Sequence, residues 1–400
     1  MPEDFYMLTQ EKVKQAKAIL KEFNIDSWIT FTRESALNGD PTLPFLVNGD
    51  VTWHSMFIIT GTGKAYAIVG QYDKKSVEDL ETYDEVIGYV EGIKKHFLDI
   101  IKKINPESIA ANYSVGSEIC DGLTYGMYLM LIELLSEAGY ANRLISAEKI
   151  ISALRQRKTD TEIKLIKEAI VKAENILADA IRFIKPGVTE KNIAEFIKDK
   201  VRQQKLDLAW DEKTCPSVFS GPEHAGAHYN PTERVVQPGH VLNIDFGVKY
   251  KSYCSDLQRT FYVLKKGESS APEPVQKGFD VIVQSIELSR QRMKPGAKGV
   301  EIDAIARGHI VQNGYDEFPH GLGHQVGRFA HDGTALLGPA WEKYAQKPFQ
   351  PIEKGMVFTI EPRLTVEGYG VATVEEMVLV NDQSAEFISH PQKALWLISS

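Results

Sequence analysis

Charged side chains interrupt apolar, strand-forming stretches at four places in the second half of this chain. Asp245 lies in N-I-D-F-G, Asp256 in C-S-D-L-Q-R-T-F, Glu361 in F-T-I-E-P and Glu375 in T-V-E-E-M, while His324 stands among them in H-G-L-G-H. Aspartate is disfavoured in strands, and a buried charge needs a cation or a partner. The fold must therefore bring these distant segments to one place or leave each charge separately compensated. Four carboxylates and one imidazole match two neighbouring divalent cations, because hard oxygen ligands neutralise the charge and bridging carboxylates hold a pair roughly 3.5–4 Å apart. Such a pair activates a water for hydrolysis.

At 400 residues the chain exceeds one ordinary core, so two domains are expected. Its 43% hydrophobic and 25% charged residues are those of a globular protein. No apolar run reaches the ~18–20 residues of a membrane span, so no membrane partner is expected. The start, Met-Pro-Glu-Asp-Phe-Tyr, lacks a basic stretch followed by an apolar one, so no secretory signal is read there. Three cysteines without a C-x-x-C argue for a reducing, cytoplasmic setting and against a disulfide framework. The net charge of −8, with no basic patch, speaks against a nucleic-acid partner.

Residues 1–155 read as an α/β domain. Thr9 can cap a helix with Val13, Ala16, Leu20 and Phe23 at helical spacing and Asn24 as its stop. Residues 27–31 read as a strand, as do 56–60 and 65–69 on either side of Gly61-Thr62-Gly63-Lys64. That turn resembles a phosphate loop only superficially. It lacks the earlier glycine and has Ala65 where a hydroxyl belongs, so a hairpin turn is expected. Residues 122–139 read as an apolar core helix. Residues 156–400 form the second domain. Thr159 and Glu162 fit a capping box opening a helix to about Ile184, with Ile163, Ile166, Ile170, Ala173 and Leu177 on one face. A Lys-Pro-Gly at 185–187 recurs 109 residues later at 294–296, each followed by an amphipathic helix at the same offset. Duplication is the better reading than coincidence, and a site between two such halves would collect ligands from both.

Strand sequences at 241–248 and Leu257–Val263 flank a polar turn, so a hairpin can bring Asp245 and Asp256 side by side. The bland alternative is two solvated strand-end aspartates. His320 and His324 have the i, i+4 spacing of a zinc-peptidase helix, but Gly321 and Gly323 intervene and no Glu follows His320, so that reading fails. The glycines instead let backbone approach a metal or substrate closely. Glu375 and Glu376 alternate, so only one can point inward, and pattern alone leaves the choice open.

With these residues in view, the chain resembles the dinuclear metallopeptidases of the pita-bread fold, the family of methionine aminopeptidase, Xaa-Pro aminopeptidase and prolidase, over about residues 215–380. The preceding region resembles the N-terminal domain of the Xaa-Pro aminopeptidase, prolidase and creatinase branch, which methionine aminopeptidases lack. The resemblance implies an α/β N-terminal domain plus an α+β C-terminal pita-bread domain with duplicated helix and curved antiparallel sheet halves. It favours Glu375 over Glu376 as ligand, has Asp245 and Glu375 bridging or chelating, Asp256 chelating one ion, and His324 and Glu361 completing the second. It makes Glu361 the proton acceptor, His228 and His331 the groups that hold the carbonyl oxygen and the developing oxyanion, and His320 a substrate contact beyond the scissile bond. A homodimer is implied as well.

The chain also departs from that pattern. Thr373 stands where an arginine is common, Arg363 replaces the glycine of E-P-G, and Thr365 replaces a frequent tyrosine. Strand alternation from Glu361 places Arg363 on the same face, where it would steady a ligand carboxylate or clamp a substrate carboxylate; the alternative is a solvated arginine on a sheet edge. The expected function is a cytoplasmic exopeptidase cleaving the bond before proline in dipeptides or short peptides. Its cofactors are two divalent ions, manganese first, with cobalt, iron or zinc as alternatives. Two other readings are a metal-dependent C–N hydrolase with a non-peptide substrate and a binding module without catalysis. Retention of all five ligands counts against a metal-free or non-catalytic relative.

Overall fold

The computed structural model describes residues 3–47, 49–222 and 230–399, and the chain divides into two compact units, Met1–Arg155 and Gln156–Ser400. In the first, strands β1 (Ser27–Thr32), β2 (Ser55–Thr60), β3 (Ala65–Gly70), β4 (Glu85–Tyr89), β5 (Ile109–Ala111) and β6 (Leu144–Ser146) form one sheet in the order β4-β3-β2-β1-β5-β6. The central three pair antiparallel, and the outer ones join in parallel. Every residue of β1, β2 and β3 is buried because both faces are covered. Trp28 and Phe57 pack with Val13 and Leu20 of the helix Glu3–Glu22, while Ile29 and Ile58 pack with Phe97 and Leu131 from the helices Lys94–Ile104 and Tyr125–Ala138. Two-sided cover is why these strands read as continuous apolar runs rather than alternating ones. The first helix begins at Glu3, not at Thr9. Leu8 and Thr9 are both buried on it, so tertiary packing overrides the local cap signal. The Gly61–Lys64 segment is a hairpin turn, with the Gly63 N–H donating to the Thr60 carbonyl at 2.9 Å.

In the second unit the helix Asp160–Phe183 opens with the Thr159–Glu162 capping box and leads into Glu190–Gln203. The helix Glu273–Arg292 leads into Gly299–Gln312 in the same way. The repeat extends to individual hydrogen bonds. The Val236 N–H donates to the Val188 carbonyl and the Ile352 N–H to the Ala297 carbonyl, both at 2.8 Å. Thr189 bridges Val235 as Lys298 bridges Pro351. Gly187 and Gly296 both take positive φ, +96° and +89°, which favours glycine at each helix-to-helix turn. The Lys-Pro-Gly repeat is therefore a duplication of structure.

The strands of this unit are β7 (Asp207–Leu208), β8 (Ser217–Ser220), β9 (Val241–Phe246), β10 (Val248–Tyr250), β11 (Tyr253–Cys254), β12 (Leu257–Val263), β13 (Val357–Ile360), β14 (Arg363–Val366), β15 (Gly370–Thr373), β16 (Glu376–Val380), β17 (Ala385–Phe387) and β18 (Trp396–Ile398). They form the sheets β18-β12-β9-β8, β11-β10-β7, β13-β16-β17 and β14-β15. Two breaks matter for the site. The strand read over 241–248 is interrupted at Gly247, where a Cβ would lie 2.0 Å from the Ser255 carbonyl oxygen. The second break separates β13/β16 from β14/β15. Ile360 pairs with Glu376, and Arg363 with Thr373. Between these pairs Pro362 has no N–H to donate, and Glu375 leaves the ribbon to bridge Gln258 of β12.

Candidate metal centre

Register explains how the aspartates meet. Asp245 on β9 lies opposite Gln258 on β12 and opposite Ser217 on β8. Asp256 is two residues before Gln258, so it is a diagonal neighbour of Asp245 on the same face rather than its direct partner. Glu375 reaches that face through its bridge to Gln258, with its N–H donating to the Gln258 carbonyl at 3.1 Å. His324 is delivered by the glycine-rich loop. A Cβ at Gly323 would sit 2.0 Å from the Thr359 carbonyl oxygen, so glycine at this position permits a close approach to β13. Thr359 then clamps the loop. Its N–H donates to the His324 carbonyl at 2.8 Å, and the His324 N–H donates to its hydroxyl at 3.1 Å. The same hydroxyl donates to Glu361 Oε1 at 3.4 Å.

His324 Nε2 lies 3.5 Å from Glu361 Oε1, 3.7 Å from Asp256 Oδ2 and 4.0 Å from Glu375 Oε1. Its Nδ1–H donates to the Gln325 carbonyl at 3.4 Å, which leaves the Nε2 lone pair facing the carboxylates. Ligand atoms of Asp256, His324 and Glu375 all fall within 4.8 Å of one another. Burial pushes the Asp245 carboxyl up to about 7. Burial, reinforced by neighbouring carboxylates, pushes Asp256, Glu361 and Glu375 well above the ordinary range. Asp245 Oδ1 is buried and meets no hydrogen-bond donor among the described residues. Four mutually repelling carboxylates, one imidazole lone pair and an unmatched oxygen form a donor set that fits hard divalent cations.

Glu375 and Glu376 divide as alternation requires. Glu376 is buried with Arg259, 3.2 Å away, and accepts from Ser389 Oγ at 2.6 Å and from the Gln392 N–H at 2.8 Å. Arg259 also donates to the Glu375 carbonyl at 2.8 Å, so one guanidinium ties β12 to the segment carrying Glu375. Sequence reading missed Arg259, although a charge inside the apolar run L-Q-R-T-F-Y-V is a visible signal. It also missed Gln258 and Thr359, whose parts depend on register.

The other candidates fall at different distances from this centre. The His331 ring stands edge-on to His324, centroids 4.0 Å apart and planes at 89°, so these two histidines are brought together. His320 is half-buried, and loss of solvent lowers its pKa to about 4 with further pressure from Arg363, Arg307 and Lys343. Its Nδ1–H donates to the Gly321 carbonyl at 2.8 Å. Arg363 opens β14 after Pro362, opposite Thr373, in the same register that pairs Ile360 with Glu376. It is half-buried, burial lowers its pKa, and no ligand carboxylate pairs with it among the described residues. Thr373, opposite Arg363, commits its hydroxyl to Gln258 Oε1 and the Pro362 carbonyl at 2.7 and 3.1 Å. His228 lies outside the described residues.

Comparison with known proteins bears on the family and the fold. Residues 164–382 match the model of metallopeptidase family M24. An uncharacterized peptidase of Bacillus subtilis, YqhT, is 28% identical over 279 residues, covering 70% of this chain and 73% of that protein. An uncharacterized peptidase of Staphylococcus aureus is 31% identical over 245 residues, covering 61% of this chain and 65% of the relative's length. Among solved structures, an Xaa-Pro dipeptidase from Bacillus anthracis superposes with a TM-score of 0.74 at 24% identity, over 98% of this chain and 100% of that one. The prolidase of Pyrococcus horikoshii gives 0.69 at 23% identity, over 96% and 99%. At such identities these likenesses speak for the fold: an α/β N-terminal domain and an α+β pita-bread domain. The family match covers more than half of the sequence, and the chain belongs to metallopeptidase family M24, peptide hydrolases that use divalent metal ions.

Proposed function

We propose that this protein is a two-metal exopeptidase that hydrolyses the Xaa-Pro bond of dipeptides or short peptides, with Asp245, Asp256, His324, Glu361 and Glu375 as ligands. The observation that carries the metal reading is the buried Asp245 oxygen, which meets no donor among the described residues, beside three further raised carboxylates. Five donors exceed the needs of one tetrahedral ion. The Xaa-Pro part is supported by the names of the superposed structures, an Xaa-Pro dipeptidase and a prolidase. Manganese is the first choice of ion, with cobalt, iron or zinc as alternatives, since the shell is mostly carboxylate. When held by these five residues, a divalent pair would supply Lewis acidity and lower the pKa of a water at neutral pH.

The protein groups would then act as follows. Glu361 accepts the proton of the attacking water, with Thr359 steadying one of its oxygens. His331 donates toward the developing oxyanion, and His228 shares that task. His320, neutral at physiological pH, presents Nε2 as an acceptor to the substrate. The family resemblance adds a homodimer and a cytoplasmic setting to the reading. No helix among the described residues is long and apolar enough to cross a membrane.

The test is a panel of Xaa-Pro dipeptides, longer Xaa-Pro peptides and proline-free controls, assayed after reconstitution with Mn, Co or Zn. Cleavage confined to proline-containing members is expected. Equal cleavage of the proline-free controls would remove proline from the reading and leave a general metallopeptidase.

A further inference from the structure

We propose that Gln258 and Thr373 are positioning residues of the metal centre: the hydrogen bond between their side chains sets the spacing of the segments that carry Asp245, Glu361 and Glu375, and with it the affinity for divalent ions. The proposal rests on the metal reading of the same site. Gln258 stands directly opposite Asp245 in the β9–β12 pairing, so the two side chains share a face. Its backbone exchanges both hydrogen bonds with Glu375, donating at 3.4 Å and accepting at 3.1 Å. Thr373 lies two residues before Glu375. Its one hydroxyl proton is shared between Gln258 Oε1, 2.7 Å away, and the Pro362 carbonyl at 3.1 Å. Pro362 directly follows Glu361. One hydroxyl therefore joins three ligand-bearing segments. Either orientation of the Gln258 amide keeps the link, since a turned amide would donate to the hydroxyl and leave its proton to Pro362.

The pair ends a row of polar side chains that stitches β15 to the sheet. The Asn243 amide donates to the Val371 carbonyl at 2.8 Å. Thr260, paired with Asn243 across β9 and β12, donates its hydroxyl to the Thr373 carbonyl and accepts from the Thr373 N–H at 3.1 Å. Contacts thus recur at 371, 373 and 375, every second residue, which is the period of one strand face. Asn243, Thr260, Gln258 and Thr373 are all buried, and polar groups are tolerated there when they are hydrogen-bonded. Because side chains make most of these ties, one substitution can loosen the row without breaking a main-chain ladder. The tie between Gln258 and Thr373 is neutral, so it holds whether or not the carboxylates are compensated. Four crowded carboxylates repel one another and push their segments apart in the metal-free protein. A bond that resists this spreading pre-organises the ligands and reduces what binding must reorder.

The test reads metal affinity rather than turnover. Metal-free protein is titrated with Mn²⁺ against a competing chelator, and the electron paramagnetic resonance of the bound manganese is recorded. Thr373→Val and Gln258→Met each remove the link with little change of volume. Each should weaken manganese uptake by about 10- to 100-fold, the scale of losing an outer hydrogen-bond partner of a metal ligand. The manganese spectrum should differ from that of wild type at matched occupancy. Thr373→Ser keeps the hydroxyl and should stay close to wild type. The double variant should lose little beyond the worse single, because either change alone breaks the same link. Leu364→Ala empties a buried apolar position on the neighbouring β14 and controls for general loss of stability. It should lower the melting temperature and leave manganese affinity near that of wild type. An affinity within about threefold of wild type in Thr373→Val or Gln258→Met would overturn the proposal. So would a Thr373→Ser as weak as Thr373→Val, or equal weakening in Leu364→Ala. If Thr373→Val does not fold, Gln258→Met decides alone. If wild-type protein binds one ion rather than two, the pair is lost from the proposed function and the same affinities still decide. Wild-type protein that binds none would overturn this proposal and the metal reading together.

Discussion

Asp245 combines a strand position that disfavours aspartate with a buried oxygen that meets no donor among the described residues. That combination was legible in the sequence as an acid among apolar neighbours, and so were Asp256, Glu361 and Glu375. The environment of Arg363 was not legible, because it depends on which strand faces β14 rather than on the residues around it in the sequence. Two substitutions test the residue roles. Asp256→Asn removes one of four repelling charges and a ligand, so metal content and activity should fall together, activity by about 10²-fold or more. The same change should raise the melting temperature of the metal-free protein, because an uncompensated buried charge is lost. Full metal content with normal activity in this variant would remove Asp256 from the ligand set. His228→Ala should lower kcat by about 10²–10³-fold with little change in KM, as expected for a group acting on the transition state. Unchanged kcat would make His228 structural.

At the scale of elements, the candidate ligands meet where two ribbons are interrupted. Gly247 lets β9 pass close to Ser255, and the Pro362 break frees Glu375 to pair with Gln258. Strand existence was readable from apolar runs, but these interruptions were not, since they follow from which strand approaches which. The buried Arg259–Glu376 pair holds the result in place, with Arg259 also donating to the Glu375 and His390 carbonyls. Arg259→Met alone should destabilise the protein by about 3–5 kcal/mol, because Glu376 is left as a lone buried charge. The double variant Arg259→Met with Glu376→Leu should recover most of that loss in denaturant unfolding. Additive losses in the double variant would show that the pair does not act as a unit.

At the scale of the whole molecule, the duplication was foreshadowed by the two Lys-Pro-Gly turns and reappears in matching hydrogen bonds of both halves. It brings Asp245 and Asp256 from one half against His324, Glu361 and Glu375 from the other. The stability of that arrangement is tied to pH. In the metal-free fold Asp245 releases its proton near pH 7, against 3.8 for an unperturbed carboxyl, and the other three acids shift the same way. Between those values the fold holds more protons than the unfolded chain, so its stability falls as pH rises from about 4 to 7. Bound cations remove that penalty. The gap in melting temperature between metal-loaded and chelator-treated protein should therefore widen from pH 5 to pH 8, and a constant gap would mean that the cluster does not govern it. The most direct measurement is anomalous diffraction from manganese-loaded crystals. Two peaks roughly 3.5–4 Å apart, both enclosed by Asp245, Asp256, His324, Glu361 and Glu375, are expected; a single peak, or none at these residues, would contradict the two-metal centre.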